Sequence, residues 1–307
     1  MALLNILFGA PVIDYKHIDQ LKKNSPELVI YAIPAVIIFT LLEFFYSHYK
    51  KKNLYNVKEA VGSLLTGIGN LIISLLLKVA LVYGAVLVYN LVPWRMAFSW
   101  WTLLPCLIIY DFCSYWSHRI SHFNRFFWAT HVVHHSSEHY NLTVSFRQSW
   151  IQHFKIIFFL PVALAGFHPV IFFITNQIAI LFQFWQHTEC IGKLHPAIEY
   201  IFITPSHHRV HHGRNEKYLD KNFGVIFSLW DRMFKTFQPE EEKAIYGITT
   251  KINNTLDPVY LNFHELKDIY MDVKKARGFR EKWFYLFGKP VSIARRKKEQ
   301  ARSKSAS

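Results

Sequence analysis

Three short histidine clusters stand between long apolar runs: His118-x3-His122, His131-x2-His134-His135, and His208-x2-His211-His212 with His207 beside the last. This placement restricts the fold more than any other feature. Neutral imidazole is the commonest protein ligand for borderline metals, and one cluster alone offers too few to complete a site. The ends of segments far apart in sequence must therefore meet. Fourteen of the 17 histidines fall between His118 and His212, more than one ion takes from protein, so the pattern points to two metals.

The surroundings are apolar. With 51% hydrophobic and 17% aromatic residues, the chain reads as an all-α polytopic integral membrane protein. A helix needs roughly 20 apolar residues to cross the hydrocarbon core. Four to five segments qualify: 28–47, 61–92 as one long tilted helix, 100–117, and the pair 151–166 and 170–186. Gly166-Phe167-His168-Pro169 breaks the last pair into a hairpin. The expected division is an N-terminal segment over 1–27, a membrane-embedded catalytic domain over 28–290 and a basic tail over 291–307. Met1–Ala10 lacks the basic start of a signal peptide, so the N-terminus is expected to be retained.

Lys50, Lys51 and Lys52 place the loop after the first segment in the cytoplasm, whereas Lys16, Lys22 and Lys23 are balanced by acids. Counting crossings from there brings all the clusters to the cytoplasmic face of a bacterial inner membrane or endoplasmic reticulum. The net charge of +14 comes without any nucleic-acid motif, and the basic run from Lys274 to Lys304 suits anionic lipid headgroups or a solvated tail. Cys106, Cys113 and Cys190 form no Cys-x2-Cys pair and read as packing residues.

His118 and His122, four apart, share a helix face. Adjacent His134 and His135 diverge by about 100° on a helix, so they are expected to serve different metals, and His208-x2-His211-His212 repeats the spacing. His187, at the end of the hairpin, is a further candidate ligand, and His207 is a ligand or a donor behind the ligands. His195, His139 and His153 rank lower, and His17, His48, His168 and His264 are expected at the surface. Ligand imidazoles usually donate their second N–H to a carboxylate or carbonyl, which makes Asp111, Glu138, Glu189, Asp220 and Asp231 candidates. Asp111 leads, two turns before His118 inside an apolar run. No His-Glu-x-x-His zinc protease signature and no Gly-x-Ser-x-Gly elbow is present. A redox site fits fixed spacing at helix ends better than a transport path does, though a non-enzymatic metal-binding or transport protein is an alternative.

Asp111-Phe112-Cys113-Ser114-Tyr115-Trp116-Ser117-His118-Arg119-x2-His122, followed by His131-x2-His134-His135 and His208-x2-His211-His212, resembles the fatty acid hydroxylase (sterol desaturase) superfamily. The stretches around Ser136-Ser137-Glu138, Arg147-Gln148-Ser149, Gln186-His187-Thr188-Glu189 and Asp220-Lys221-Asn222 are similar to its ether-lipid-cleaving branch. The resemblance implies two irons per chain, O2 as oxidant, a lipid substrate and hydroxylation beside an ether oxygen. It also implies an electron donor, which is tetrahydrobiopterin in animal members. The eight clustered histidines carry over as ligands, and Glu138 as a supporting residue near the metals. A desaturase or a sterol or fatty-acid hydroxylase on the same scaffold is the nearest rival.

Overall fold

The computed structural model describes residues 9–18, 25–250 and 252–305, so Asp19, Lys22 and Lys23 lie outside the described residues, as does the side chain of His17. Among the described residues there are thirteen α-helices and no strand, only isolated bridges pairing Gly9 with Arg95 and Phe202 with Phe227.

α1 (Leu28–Tyr49) and α2 (Val57–Leu91) are long enough and apolar enough to cross a membrane, and most of each is exposed. α2 is unbroken for 35 residues, about 50 Å at 1.5 Å per residue, consistent with one long helix. Its glycines are contact points for a distant loop. A Cβ on Gly67 would stand 2.8 Å from the Phe146 carbonyl oxygen, and one on Gly69 would stand 2.3 Å from the Trp150 indole nitrogen. Helix and loop therefore approach closer than any side chain allows.

α3 (Leu103–Phe123) is the central helix. Its Cys106, Tyr110 and Cys113 are buried against Val162, Phe167, Ile171 and Ala179, and all three cysteines of the chain are free thiols. The 151–166 segment departs from expectation. It is a 3₁₀ stretch (Gln152–Phe159) followed by the short α4 (Leu160–Leu164), with Pro161 in the first turn of the latter. Pro161 lacks an N–H and cannot continue the preceding hydrogen-bond pattern, though it suits a helix start. α5 (Pro169–Phe184) is the second arm of the hairpin; it and the preceding arm are shorter than a membrane crossing requires.

The remaining helices are shorter or more polar. α6 (Arg125–Ala129) and α7 (Val132–His135) follow α3, and Asn124 caps the first through its side chain. α8 (Pro196–Ile201), α9 (Pro205–His212) and α10 (Leu229–Met233) follow α5. α11 (Pro258–Lys275), α12 (Phe279–Phe287) and α13 (Pro290–Ser305) follow, the last a helix that carries the basic residues expected of the tail. Arg125 ties α6 to this C-terminal group by binding Glu265 at 2.7 Å, Asp272 at 2.7 Å and the Tyr285 carbonyl at 3.2 Å.

Candidate metal centre

The C-terminal end of α3, the loop and helix 131–135, His187 three positions past the end of α5, and α9 bring nine imidazoles together. They form two groups, His118, His122, His131, His135 and His211 in one and His134, His187, His208 and His212 in the other. Within each group the nearest nitrogens lie within 4.8 Å of one another. His134 and His135 fall in different groups, as do His211 and His212, which is the divergence that adjacent helical positions impose.

Hydrogen bonding fixes which nitrogen faces inward. His187 Nδ1 lies 2.8 Å from the Gln183 carbonyl, His211 Nδ1 3.0 Å from that of Lys221 and His118 Nδ1 2.9 Å from that of Phe223. A carbonyl only accepts, so each Nδ1 carries the proton and each Nε2 keeps its lone pair. Two of those Nε2 atoms meet other Nε2 atoms: His187 faces His134 at 3.1 Å and His208 at 3.0 Å, while His211 faces His135 at 3.1 Å. His135 in turn faces His131 at 3.1 Å, and His208 faces His212 at 3.2 Å. The Nε2 atoms of His118 and His122 are buried without a partner. Converging lone pairs and orphaned ring nitrogens are the donor set that a pair of cations satisfies, so the residues fit two metal ions of the imidazole-preferring class.

Burial keeps these rings neutral. It pushes His187 and His211 down to about 4, and it lowers His131, His134, His135, His208 and His212 well below the usual histidine range, with neighbouring cationic groups adding to the effect. One of those neighbours is Lys155, on the 3₁₀ stretch, whose charge acts on both His131 and His134. Sequence reasoning passed over Lys155.

Several expected residues take other places. His207 belongs to neither group; its ring packs on Phe237 at 5.2 Å and Nε2 stands 3.9 Å from Glu199. Asp111 does not bind His118. It accepts from the Ile226 and Phe227 amides at 2.8 and 3.1 Å and from the Trp230 indole at 2.9 Å. Asp231 likewise binds the Phe223 and Gly224 amides, both at 2.7 Å. The two acids thus pin the loop whose Phe223 carbonyl receives His118, and they act on the imidazole through the backbone. Asp220, at a positive φ of 59°, stands 3.9 Å from His122 Nδ1 and pairs with Lys289 at 2.7 Å. Glu138 is exposed, with its amide bound to Glu59, and Glu189 is the neighbour of the Tyr246 hydroxyl. His168 and His195 accept amide hydrogens at the starts of α5 and α8, His153 stands 3.5 Å from Ser74, and His139 3.4 Å from Glu59.

Of the residues that hold the histidine loops, Glu43 and Glu59 went unnoticed in the sequence, and Arg147 was marked only by the resemblance of its stretch. Arg147 is fully buried and donates to the Val133 carbonyl, the Ser136 hydroxyl, the Glu59 carbonyl and the Ser63 hydroxyl at 2.9–3.2 Å, so it clamps the 131–136 turn to α2. Glu59 accepts from Ser137, Glu138 and His139 at 2.6–3.1 Å. Glu43 of α1 accepts from Tyr55, the Leu142 amide and Thr188, the residue after His187. A lone acid in an apolar run announces its own cost, but apart from Tyr55 the partners lie about 80 to 145 residues away.

A cavity of about 140 Å³ reaches the edge of the first group at His122, His135 and His211, with Arg214, Trp128 and Ile293 of α13 among its walls. A second cavity, about 250 Å³, lies beside His207 and Arg232, away from the nine.

Residues 103–236 match the family described as fatty acid hydroxylase. All nine histidines lie within the matched stretch. Over a longer stretch the chain is 37% identical to the alkylglycerol monooxygenase of Homo sapiens, across 279 residues that make up 88% of this chain and 61% of that protein. It is 48% identical over 161 residues to the alkylglycerol monooxygenase of Danio rerio, 52% of this chain and 35% of the relative. It is 28% identical over 163 residues to an ornithine lipid hydroxylase of Rhizobium tropici, 52% of this chain and 48% of that protein. The chain thus spans about three fifths of the human relative's length. No solved structure matches the chain.

Proposed function

We propose that the chain is a membrane-embedded di-iron monooxygenase that hydroxylates a lipid with O2, and that an alkylglycerol ether is its substrate class. The observation that carries the reading is the pair of histidine groups with Nε2 lone pairs facing one another at 3.0–3.2 Å. His118, His122, His131, His135 and His211 would hold one iron, and His134, His187, His208 and His212 the other. Bound iron supplies the activation of O2 for attack on an unactivated C–H bond. The chain's own work is to fix His187, His211 and His118 as Nδ1–H tautomers through the Gln183, Lys221 and Phe223 carbonyls, to hold the clusters with Glu43, Glu59 and Arg147, and to keep bulk water from the site. Asp111 and Asp231 stabilise the loop behind His118, and Glu138 sits at its rim.

In the overall reaction one oxygen atom of O2 enters the C–H bond beside the ether oxygen, and the other leaves as water with two electrons and two protons from a donor. The resulting hemiacetal breaks its C–O bond to give an aldehyde and a free glycerol hydroxyl. A tetrahydropterin is the donor class that the alkylglycerol resemblance supports. The likeness to an ornithine lipid hydroxylase favours a second outcome, in which the hydroxylated lipid is itself the product. α1 and α2 would span the bilayer, with α3 and the hairpin of α4 and α5 completing four to five membrane segments. Lys50, Lys51 and Lys52 after α1 support a metal centre on the cytoplasmic side.

Elemental analysis and iron-57 Mössbauer spectroscopy of anaerobically purified protein should find two irons per chain. Turnover of an alkylglycerol under ¹⁸O2 should yield a labelled fatty aldehyde. A labelled lipid alcohol assigns plain hydroxylation, loss of two hydrogens without label assigns desaturation, and no metal under iron-replete growth refutes the enzyme reading.

A further inference from the structure

The C-terminal helices present a surface that the oxygenase reading leaves unused. On α11, Val259, Phe263 and Tyr270 are exposed along one side, and on α12 Phe279 and Trp283 follow at 76% and 56% exposure. The aromatic line continues inward. Phe279 lies 5.8 Å from Trp283, Trp283 4.5 Å from Phe287, Phe287 6.3 Å from Phe126, and Phe126 6.3 Å from Phe154. Phe154 opens onto the exposed apolar part of the 3₁₀ stretch, with Ile156 and Ile157, so the C-terminal aromatic face is continuous with a segment placed in the membrane above.

Charge flanks this face. Lys267, Lys274, Lys275, Arg277, Arg280 and Lys282 are all exposed, and none forms an ion pair among the described residues. The neighbouring acids are already engaged, Glu265 by Arg125, Asp272 by Arg125 and Lys297, and Glu281 by Arg296, which leaves Asp268 alone. An aromatic stripe with unpaired basic residues on both sides is the pattern of helices lying in the membrane interface, where rings sit at the headgroup boundary and cations meet anionic lipids.

We infer that α11 and α12 form an interfacial platform resting on an anionic lipid surface, with Phe279 and Trp283 at its apolar edge and the six basic side chains among the headgroups. The inference rests on the membrane reading. The platform adjoins the metal-centre cavity, whose walls include Glu265 and Asp268, so it would hold the leaflet against the mouth of the site.

The full chain with Cys190→Ser, which leaves only the two buried cysteines, would carry Phe279→Cys or, for comparison, Glu216→Cys, each labelled with bimane. Proteins would be placed one per nanodisc of phosphatidylcholine with or without phosphatidylglycerol and quenched with acrylamide. In anionic discs the label at position 279 should be quenched about threefold less than that at 216, with the protection reduced in neutral discs. Equal quenching at the two positions overturns the platform. Equal protection in both lipids overturns its anionic selectivity, and protection that arises only in discs holding two copies assigns the face to a second copy of the chain and overturns the lipid assignment. Alkaline carbonate extraction of the wild type reads the membrane spans separately: a chain that stays with the membrane while position 279 is freely quenched keeps the spans and loses only the platform.

Discussion

Acidification should loosen the metal-free protein well above the pH at which its carboxylates titrate. His187 and His211 sit at about 4 in the fold against an ordinary 6.5, because burial disfavours their charged forms. At pH 7.5 and above both folded and unfolded chains hold these rings almost wholly neutral, and the shift has almost no effect on stability. As pH falls through 6.5 the unfolded chain takes up protons that the folded chain refuses, so stability falls until the folded rings titrate near 4. At pH 5.5 the loss is about 1.4 kcal/mol for each ring and about 3 kcal/mol for the two together. His131, His134, His135, His208 and His212 shift in the same direction and enlarge the effect. The assay is thermal unfolding of the metal-free chain in detergent at pH 7.5, 6.5 and 5.5, with His48→Gln, at an exposed position, as a variant that should follow the wild type. The midpoint should begin to fall by 6.5, where each shifted ring already costs about 0.4 kcal/mol because the unfolded chain is half-protonated, and drop clearly further by 5.5. A midpoint that does not change down to pH 5 would refute the claim that the nest is preformed and neutral. A companion measurement follows from the same numbers: metal loading at pH 7.5 should release almost no protons from the imidazoles, since they are deprotonated beforehand.

Arg147→Met removes a buried charged donor from four acceptors and should cost about 3–5 kcal/mol of stability, read as a lowered unfolding midpoint, while unchanged stability would remove Arg147 from its role as clamp. His208→Ala should lower iron content to about half or less, whereas His207→Ala should leave it at the wild-type level; equal losses would place His207 among the ligands after all. Lys155→Met removes a cation that acts on His131 and His134, and should strengthen iron retention against a chelator by up to about tenfold, about 1.4 kcal/mol, with weaker retention refuting the repulsion.

What the sequence disclosed follows from which interactions are local. The divergence of His134 from His135 and of His211 from His212 is set by helical geometry within a few residues, and the structure sorts them accordingly. His207 misled because proximity in sequence is not direction. At 100° per residue it points about 90° away from the mean of His208, His211 and His212, and its ring goes to Phe237 instead. The 151–166 segment misled for a related reason. Hydropathy reports that a stretch is apolar and is silent on whether it is α or 3₁₀, and Pro161 decides that locally.

The acids show where single-sequence reading stops. A carboxylate inside an apolar run must find donors, and that necessity marked Asp111 as important. The guess that its donor was His118 fails because a nearer demand existed: the amides of Ile226 and Phe227 and the indole of Trp230 are buried beside it and have to be satisfied. The carbonyl of Phe223, held in turn by Asp231 through its amide, then becomes the group that orients His118. Neutral carbonyls do the same for His187 and His211. This arrangement has a chemical consequence that direct carboxylates would not give. A carbonyl fixes the tautomer without adding negative charge, so the centre would keep more of the positive charge of its two metals, and Asp231→Asn should perturb His118 chiefly through the position of the loop. The Mössbauer isomer shifts of Asp231→Asn should therefore match the wild type while its iron occupancy falls; changed shifts at full occupancy would show that the carboxylate acts on the metal's electrons directly.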